Sequence, residues 1–339
     1  MLFQPQRVFI ERAVLDLPLT RRVLARLEAA VPVEVVATAG RIPAAPRGTA
    51  REVYGASKRM LIISRAPGQP LRGCRPSADY ELPLGASCPG LCQYCYLQSS
   101  LGTRPYVRVY ADLDEIMRAV TRKAEAEPEA ALSFEAASTS DPIAVEHLTG
   151  ALAELIPFFG QTPRSSLRLV TKFAYTEGLL GLDHARRTKV RYSLNTPFVV
   201  GNYEAGTDAV ADRIEAANRI GHAGYPVGFV LAPLMIYQGW EADYRDLLRL
   251  LAERLAPDLH AGLTFELISH RFTSKAKEII QARFPRCRLD LDESHRRVKW
   301  GRYGHTKFVY PTEELRRLWL LVQESIVRHF PQAVIEYST

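Results

Sequence analysis

The chain has 339 residues, 47% of them apolar and 24% charged, with a formal net charge of +7. At about 100–200 residues per domain, that is one large domain with attachments or two domains, enough to bury a sizeable core without disulfides. The composition excludes a disordered or fibrous chain. No apolar run approaches the roughly 20 residues of a membrane helix, and Met1 to Pro5 lack the apolar stretch of a secretory signal. The expectation is a cytoplasmic protein with no membrane partner.

The charge is uneven. Between Arg271 and Phe308 eleven Lys and Arg stand against four Asp and Glu, so this stretch alone carries the excess. Such a surface suits a polyanion such as nucleic acid, and it equally suits a solvated face.

In chain order, Arg7–Ile10 reads as a strand, Leu19–Ala30 has helical apolar spacing, and Val33–Ala37 is a second strand. Gly40 to Gly48, rich in Pro and Gly, is a loop or linker. A strand-then-helix rhythm follows, with strands at Leu132–Ala136, Leu167–Phe173, Val190–Asn195, Val227–Leu231 and Leu263–Ile268. Leu113–Ala126 and Val210–Ala223 are amphipathic helices between them. Strands and helices alternating in this way imply right-handed βαβ units and a parallel sheet. With a strand just before Cys88 the count is about six units, too few for a closed eight-stranded barrel. A partial barrel and an open doubly wound sheet both fit. Beyond residue 285, Arg288–Asp292 alternates with period two, and Val298 to Tyr310 reads as a β-hairpin around a Gly-flanked turn. An amphipathic helix, Thr312–His329, closes the chain.

Five cysteines are present, three of them within Cys88-Pro89-Gly90-Leu91-Cys92-Gln93-Tyr94-Cys95. Three thiolates at these spacings can hold three irons of a [4Fe–4S] cube and leave the fourth open to a small chelating ligand. Structural zinc, the alternative, asks for four ligands, commonly in paired couples. Cys74 and Cys287 stand far from the cluster and form no second couple.

The C-x3-C-x2-C pattern with Tyr94 before its last cysteine resembles the radical S-adenosylmethionine superfamily. Gly85-Ala86-Ser87, Cys95-Tyr96-Leu97-Gln98, Phe134 to Asp141, Glu266 to Thr273 and Lys299 to Gly304 together resemble the spore photoproduct lyases. The resemblance implies an α/β fold: a partial (β/α)6 TIM-type barrel over residues 76–285, an N-terminal α/β extension over 1–75, and a C-terminal DNA-binding β-hairpin and helix over 286–339. It further implies a lyase with a [4Fe–4S] cluster on Cys88, Cys92 and Cys95 and with S-adenosylmethionine. The substrate implied is DNA carrying 5-thyminyl-5,6-dihydrothymine, reverted to two thymines. A low-potential electron donor of flavodoxin or ferredoxin type is the implied partner, and a monomer the expected state.

In the family's chemistry a cysteine returns hydrogen to the product radical and a tyrosine pair, here matched by Tyr94 and Tyr96, helps to regenerate the cofactor. Read without the family, both rings are aromatic packing beside the cluster. The family pattern expects cysteine where Ser138 stands. An alcohol O–H is stronger than the C–H bond it would make, so Ser138 is no substitute. An engineered substitution, a natural variant with Tyr96 or Cys74 as donor, and a changed reaction all remain open.

Barrels of this kind bind ligands at the C-terminal ends of their strands. Ser140, Lys172, Ser193 and Asn195 stand at such ends, where a lysine pairs with a carboxylate and hydroxyls or amides bond to a ribose or amino group. The resemblance makes them, with Tyr96 and with Ala232 at the adenine, cofactor contacts. Strand-end polar residues otherwise often serve only the backbone. Arg302 and Tyr303 at the hairpin tip suit a wedge that holds an extruded lesion, with Lys299, Arg296, Arg297 and Lys307 as phosphate contacts. The same hairpin with no partner is the plainer reading. Two functions compete with repair: another radical S-adenosylmethionine enzyme acting on nucleic acid, and a non-catalytic binding protein with a structural cluster or zinc.

Overall fold

A computed structural model describes residues 2–42, 47–68, 71–102, 105–300 and 306–339. The chain opens with β1 (Arg7–Glu11), α1 (Pro18–Arg26), β2 (Val33–Val36), α2 (Ala50–Ser57) and β3 (Met60–Ser64). Helix α1 starts on a proline, whose fixed φ suits the first turn, and buries Leu19 and Val23 one turn apart. It ends earlier than the apolar spacing predicts, because Leu27 is already extended as the chain turns toward β2. Helix α2 is held by a capping box in which Thr49 and Glu52 satisfy each other's backbone N–H groups.

Next come β4 (Arg72–Gly73), β5 (Tyr80–Leu82), β6 (Gly85–Ala86) and β7 (Val107–Tyr110). One sheet runs β2-β1-β3-β7-β6, parallel except for β6. It therefore draws two strands from beyond residue 75, one of which leads directly into the cysteine loop.

The rest of the chain is α3 (Leu113–Ala126), β8 (Leu132–Ala136), α4 (Glu146–Thr149), α5 (Ala151–Gln161), β9 (Ser165–Thr171), β10 (Thr188–Leu194), α6 (Pro197–Tyr203), α7 (Val210–His222), β11 (Val227–Leu234), α8 (Trp240–Arg254), β12 (Thr264–Ser269), α9 (Ser274–Arg283), β13 (Arg297–Trp300), β14 (Thr306–Val309), α10 (Thr312–His329) and β15 (Val334–Ser338). Strands β15-β12-β11-β10-β9-β8-β5-β4 form the large sheet, parallel but for β4. Its curl makes a partial barrel, one of the two arrangements the rhythm allows and the one the family resemblance implies. A strand the periodicity did not reveal, β15, returns from α10 to extend the β12 edge. One continuous core lies between this sheet and its helices, centred on side chains such as Phe134, Phe159, Leu169, Phe229 and Phe265. Each contributes roughly 1.5–3 kcal/mol by leaving water.

The inner face of the barrel is charged. The fully buried Arg191 on β10 pairs with Glu135 on β8 and Glu266 on β12, and Tyr337 on β15 donates to Glu266. Removing one member of such a set costs about 3–5 kcal/mol, because the partners stay buried without a counter-charge.

Two expectations near the C-terminus change. Arg288–Asp292 pairs with no strand among the described residues; its alternation arises because Leu289 and Leu291 pack on Phe272 and Ile280. Arg296, expected on phosphate, has a buried guanidinium stacked 3.7 Å from the Tyr310 ring centre and bonded to Asp290 at 3.3 Å. It fastens the hairpin to the barrel. Strands β13 and β14 do form the antiparallel hairpin, while Arg302 and Tyr303 lie outside the described residues.

Candidate active site

The loop from Ser87 to Cys95 sits at the barrel mouth, tied on both sides. Ser87 N–H donates to Thr139 O at 2.7 Å, and Ser140 Oγ donates to Ser87 O at 2.7 Å. On the far side Leu91 N–H donates to Ala205 O at 2.7 Å and Gln93 N–H to Tyr203 O at 2.9 Å. Ser87 lies in the left-handed region (φ 64°), as does Ala137 (φ 59°) just before Ser138. Non-glycine residues held there cost on the order of 1–3 kcal/mol each and persist where the surroundings over-determine them.

The three thiols are close: Cys95 raises the pKa of Cys88, and Cys88 and Cys95 both raise that of Cys92. Burial pushes Cys88 and Cys92 up most; the Lys58 ammonium draws Cys88 back, and Glu204 pushes Cys92 further. A Cβ at Gly90 would fall 3.6 Å from the Cys88 sulfur and 3.9 Å from the Cys92 sulfur, so the space above Gly90 is the one the thiols border. Among the described residues no three His, Cys, Asp or Glu side chains converge on one ion-sized point. Three thiolates on one loop are a donor set a cube takes, one at each of three corners. Cys287 is apart, packed beside Phe284 and Leu289.

Sequence reasoning missed Lys58. Its ammonium, buried at the end of α2, donates to Ser87 Oγ at 3.0 Å and Cys88 O at 2.7 Å. A lone lysine thirty residues upstream carries no motif, so only the fold exposes this role.

Inside the mouth, Lys172 follows β9, donates to Ser193 Oγ on β10 and stands 3.5 Å from Ala232 O on β11. Glu204 lies 3.9 Å from Lys172, accepts from the Tyr94 hydroxyl and pairs with the buried Arg213 at 2.8 Å. Glu204 and Arg213 were likewise missed; they sit on a loop and on the inner face of α7, where periodicity reads only as packing. Of the expected cofactor residues, Lys172, Ser193 and Ala232 are brought together. Asn195 is tied to Pro233 O at 2.8 Å and to Tyr244 at 3.2 Å, and Ser140 to the cysteine loop.

The two tyrosines diverge. Tyr94 points to Glu204, whereas the Tyr96 hydroxyl crosses to donate to the backbone O of Ser138. Beside it, the Ser138 side chain is close enough to the Cys74 thiol to offset part of that thiol's upward shift. Cys74 sits in the loop after β4, with its N–H on Asp79 O at 3.1 Å. Burial, then the charges of Glu135 and Glu81, push its thiol up to about 11, and Cys74 in turn helps to raise Tyr96. Cys74, Ser138 and Tyr96 are therefore one cluster, assembled from three separate loops.

A family model described as spore photoproduct lyase matches residues 3–339. The chain is 38% identical to the spore photoproduct lyase of Bacillus subtilis (strain 168) over 338 residues, covering 99% of each. It is 35% identical to that of Clostridium acetobutylicum over 333 residues, covering 98% of each. Solved structures superpose with a TM-score of 0.96 at 38% identity over the whole of both chains. One is a spore photoproduct lyase complexed with dinucleoside spore photoproduct. Another is a double variant, one cysteine changed to alanine and one serine to cysteine, with bound AdoMet and the same dinucleoside.

Proposed function

Since the chain belongs to the spore photoproduct lyase family, and so is a radical S-adenosylmethionine lyase of DNA repair, we propose that Cys74 supplies the hydrogen that completes its reaction. The observation that carries this reading is the nearness of the Cys74 thiol to Ser138, whose backbone carbonyl accepts from the Tyr96 hydroxyl.

S-adenosylmethionine and a [4Fe–4S] cluster, when bound, supply the 5′-deoxyadenosyl radical that removes a hydrogen from the lesion. Cys88, Cys92 and Cys95 hold the cluster in this reading. Lys172, steadied by Ser193, offers its ammonium to the methionyl carboxylate, and Glu204 with Arg213 fixes the charge around that lysine. Ala232 lies toward the adenine, while Asn195 and Ser140 hold the strand end and the cysteine loop in place.

Once the lesion has opened, a thymine-centred radical needs one hydrogen atom. The S–H bond of Cys74 breaks, a C–H bond of the thymine methyl forms, and the unpaired electron passes to sulfur. A thiol whose pKa is pushed up to about 11 keeps its hydrogen at neutral pH. Tyr96 then gives its O–H hydrogen to the sulfur, and its oxygen would take one back from the 5′-deoxyadenosine that holds the hydrogen removed from the lesion. Tyr94 contributes through its ring beside Lys172, 5.9 Å from that ammonium.

Lys299 on the exposed β13, with Arg302 and Tyr303, is read as the DNA-facing edge. In this reading residues 1–75, 76–285 and 286–339 serve as extension, barrel and DNA-binding part. The enzyme works as a monomer in the cytoplasm, fed by a flavodoxin or ferredoxin. No helix among the described residues is long and apolar enough to cross a membrane.

The test is anaerobic turnover of a dinucleotide carrying the lesion. The native chain is expected to return two thymines, with deuterium in the methyl group when run in D2O. C74A should consume lesion but give abortive or adduct products, and C74A/S138C should restore clean repair. Clean repair by C74A alone would overturn the assignment of the donor; no lesion consumption by the native chain would overturn the repair function itself.

A further inference from the structure

On the outer side of the cysteine loop lies a groove of about 310 Å³, with Leu91 and Gln93 of the loop forming one wall. Cys92 and Tyr94, the residues alternating with these, turn inward to Glu204 and Lys172. The opposite wall comes from α2 and the end of α9, with Arg51, Tyr54, Arg283 and Arg286. Arg51 and Arg286 are exposed, and no acidic residue lines the groove among the described residues.

Between the groove and the thiols stands Tyr54. Its hydroxyl accepts from Gln98 Nε2 at 3.2 Å, and the same amide nitrogen donates to Cys92 O at 3.1 Å. Arg283 stacks 4.7 Å and Lys58 5.4 Å from the Tyr54 ring centre. Burial raises the phenol first, and then the charges of Cys95, Cys88 and Cys92, which puts the ring near the three thiols. A groove with a basic rim and an apolar floor thus reaches the surface within one side chain of the cluster ligands.

The geometry points to this groove as the docking site of an acidic, low-potential one-electron carrier protein. The inference rests on the reading that a reduced cluster starts the reaction. One electron leaves the carrier's reduced centre, which is oxidised, and enters the cluster, which is reduced; no atom is transferred. An apolar centre with a charged rim is the ordinary build of a protein interface, and opposite charges across it steer encounter and fix orientation. The position against the cluster ligands favours a carrier over nucleic acid, which an equally basic groove elsewhere on the chain would serve.

The experiment uses the reconstituted holoenzyme, an acidic flavodoxin as probe, and the variants R51E and R51E/R286E. Arg51 is exposed in the first turn of α2, where a glutamate suits the helix end, so folding is preserved. Calorimetry should show flavodoxin binding weakened about tenfold in R51E and further in the double variant, with the native affinity falling as salt rises. Repair driven by reduced flavodoxin should fall in parallel. Repair driven by dithionite, and affinity for lesion-containing oligonucleotide, should stay unchanged. Unaltered flavodoxin binding in both variants would overturn the proposal. A loss of oligonucleotide affinity together with dithionite-driven repair would also overturn it, by making the groove a DNA contact. Native enzyme that repairs with dithionite but neither binds nor accepts electrons from flavodoxin refutes the docking site alone; native enzyme inactive with dithionite refutes the underlying reading.

Discussion

The hydroxyl of Tyr96 donates to the backbone carbonyl of Ser138, so the cysteine loop and the turn after β8 share a side-chain hydrogen bond beside Cys74. Tyr96→Phe removes that bond and the hydrogen it offers. One neutral hydrogen bond is worth about 1 kcal/mol, so Tm should drop slightly. The larger effect is on cofactor economy: Y96F should consume more S-adenosylmethionine per thymine pair formed, read by following deoxyadenosine and thymine together by mass.

The thiol of Cys74 is expected to resist alkylation. Its pKa stands near 11 because the site is buried and Glu135 and Glu81 lie close. Iodoacetamide labelling followed by peptide mass spectrometry should show little modification of Cys74 at pH 8, with a rate rising steeply above pH 10. Glu81→Gln removes one of the neighbouring negative charges and should move that rise to lower pH.

Lys58 places a buried positive charge beside Cys88. Lys58→Met takes away charge that favours the reduced, more negative cluster. The midpoint potential, followed by electron paramagnetic resonance during reductive titration, should fall by about 60 mV for each 1.4 kcal/mol of lost interaction. An unchanged potential would show that Lys58 serves only to hold the loop.

Glu146 supplies a pH prediction far from the site. Its carboxyl accepts from the backbone N–H of Leu152 and of Ala153, each at 3.0 Å, yet burial pushes it up from 4.5 to about 7. The folded chain therefore binds this proton more tightly than the unfolded one. Its contribution favours folding below pH 4.5 and is lost as pH rises toward 7. At about 1.4 kcal/mol per unit, the loss is on the order of 3 kcal/mol. In urea melts at pH 5 and pH 8, Glu146→Gln should lack this part of the decline.

What was legible in the sequence was what depends on neighbours along the chain. Helices Leu113–Ala126 and Thr312–His329 follow from apolar spacing and an acidic first turn, and the cysteine loop from ligand spacing alone. Strand β15 was not legible, because its residues are half exposed and its pairing with β12 spans some seventy positions. The Arg191 set on the barrel's inner face escaped notice for a related reason: its charges alternate with apolar residues and look like a solvated strand face until the sheet curls. Arg296 was misread because a guanidinium can be buried on a tyrosine ring as readily as displayed to phosphate. Cys74 and Ser138 stand 64 residues apart in the chain, and only the folding of β4 and β8 into one sheet makes them neighbours.

The bridge between Ser87 and Ser140 has a consequence for selectivity. It fastens the segment bearing Cys88 to the segment bearing Ser138 through main-chain bonds, with a left-handed residue just upstream of each. In the proposed reading, the separation of the cluster loop from the turn that borders the Cys74 thiol is then set by backbone. A fixed span acts as a ruler. In that reading, two fused bases are processed to completion only if their reacting carbons match its length, so cross-linked bases of other geometry are disfavoured.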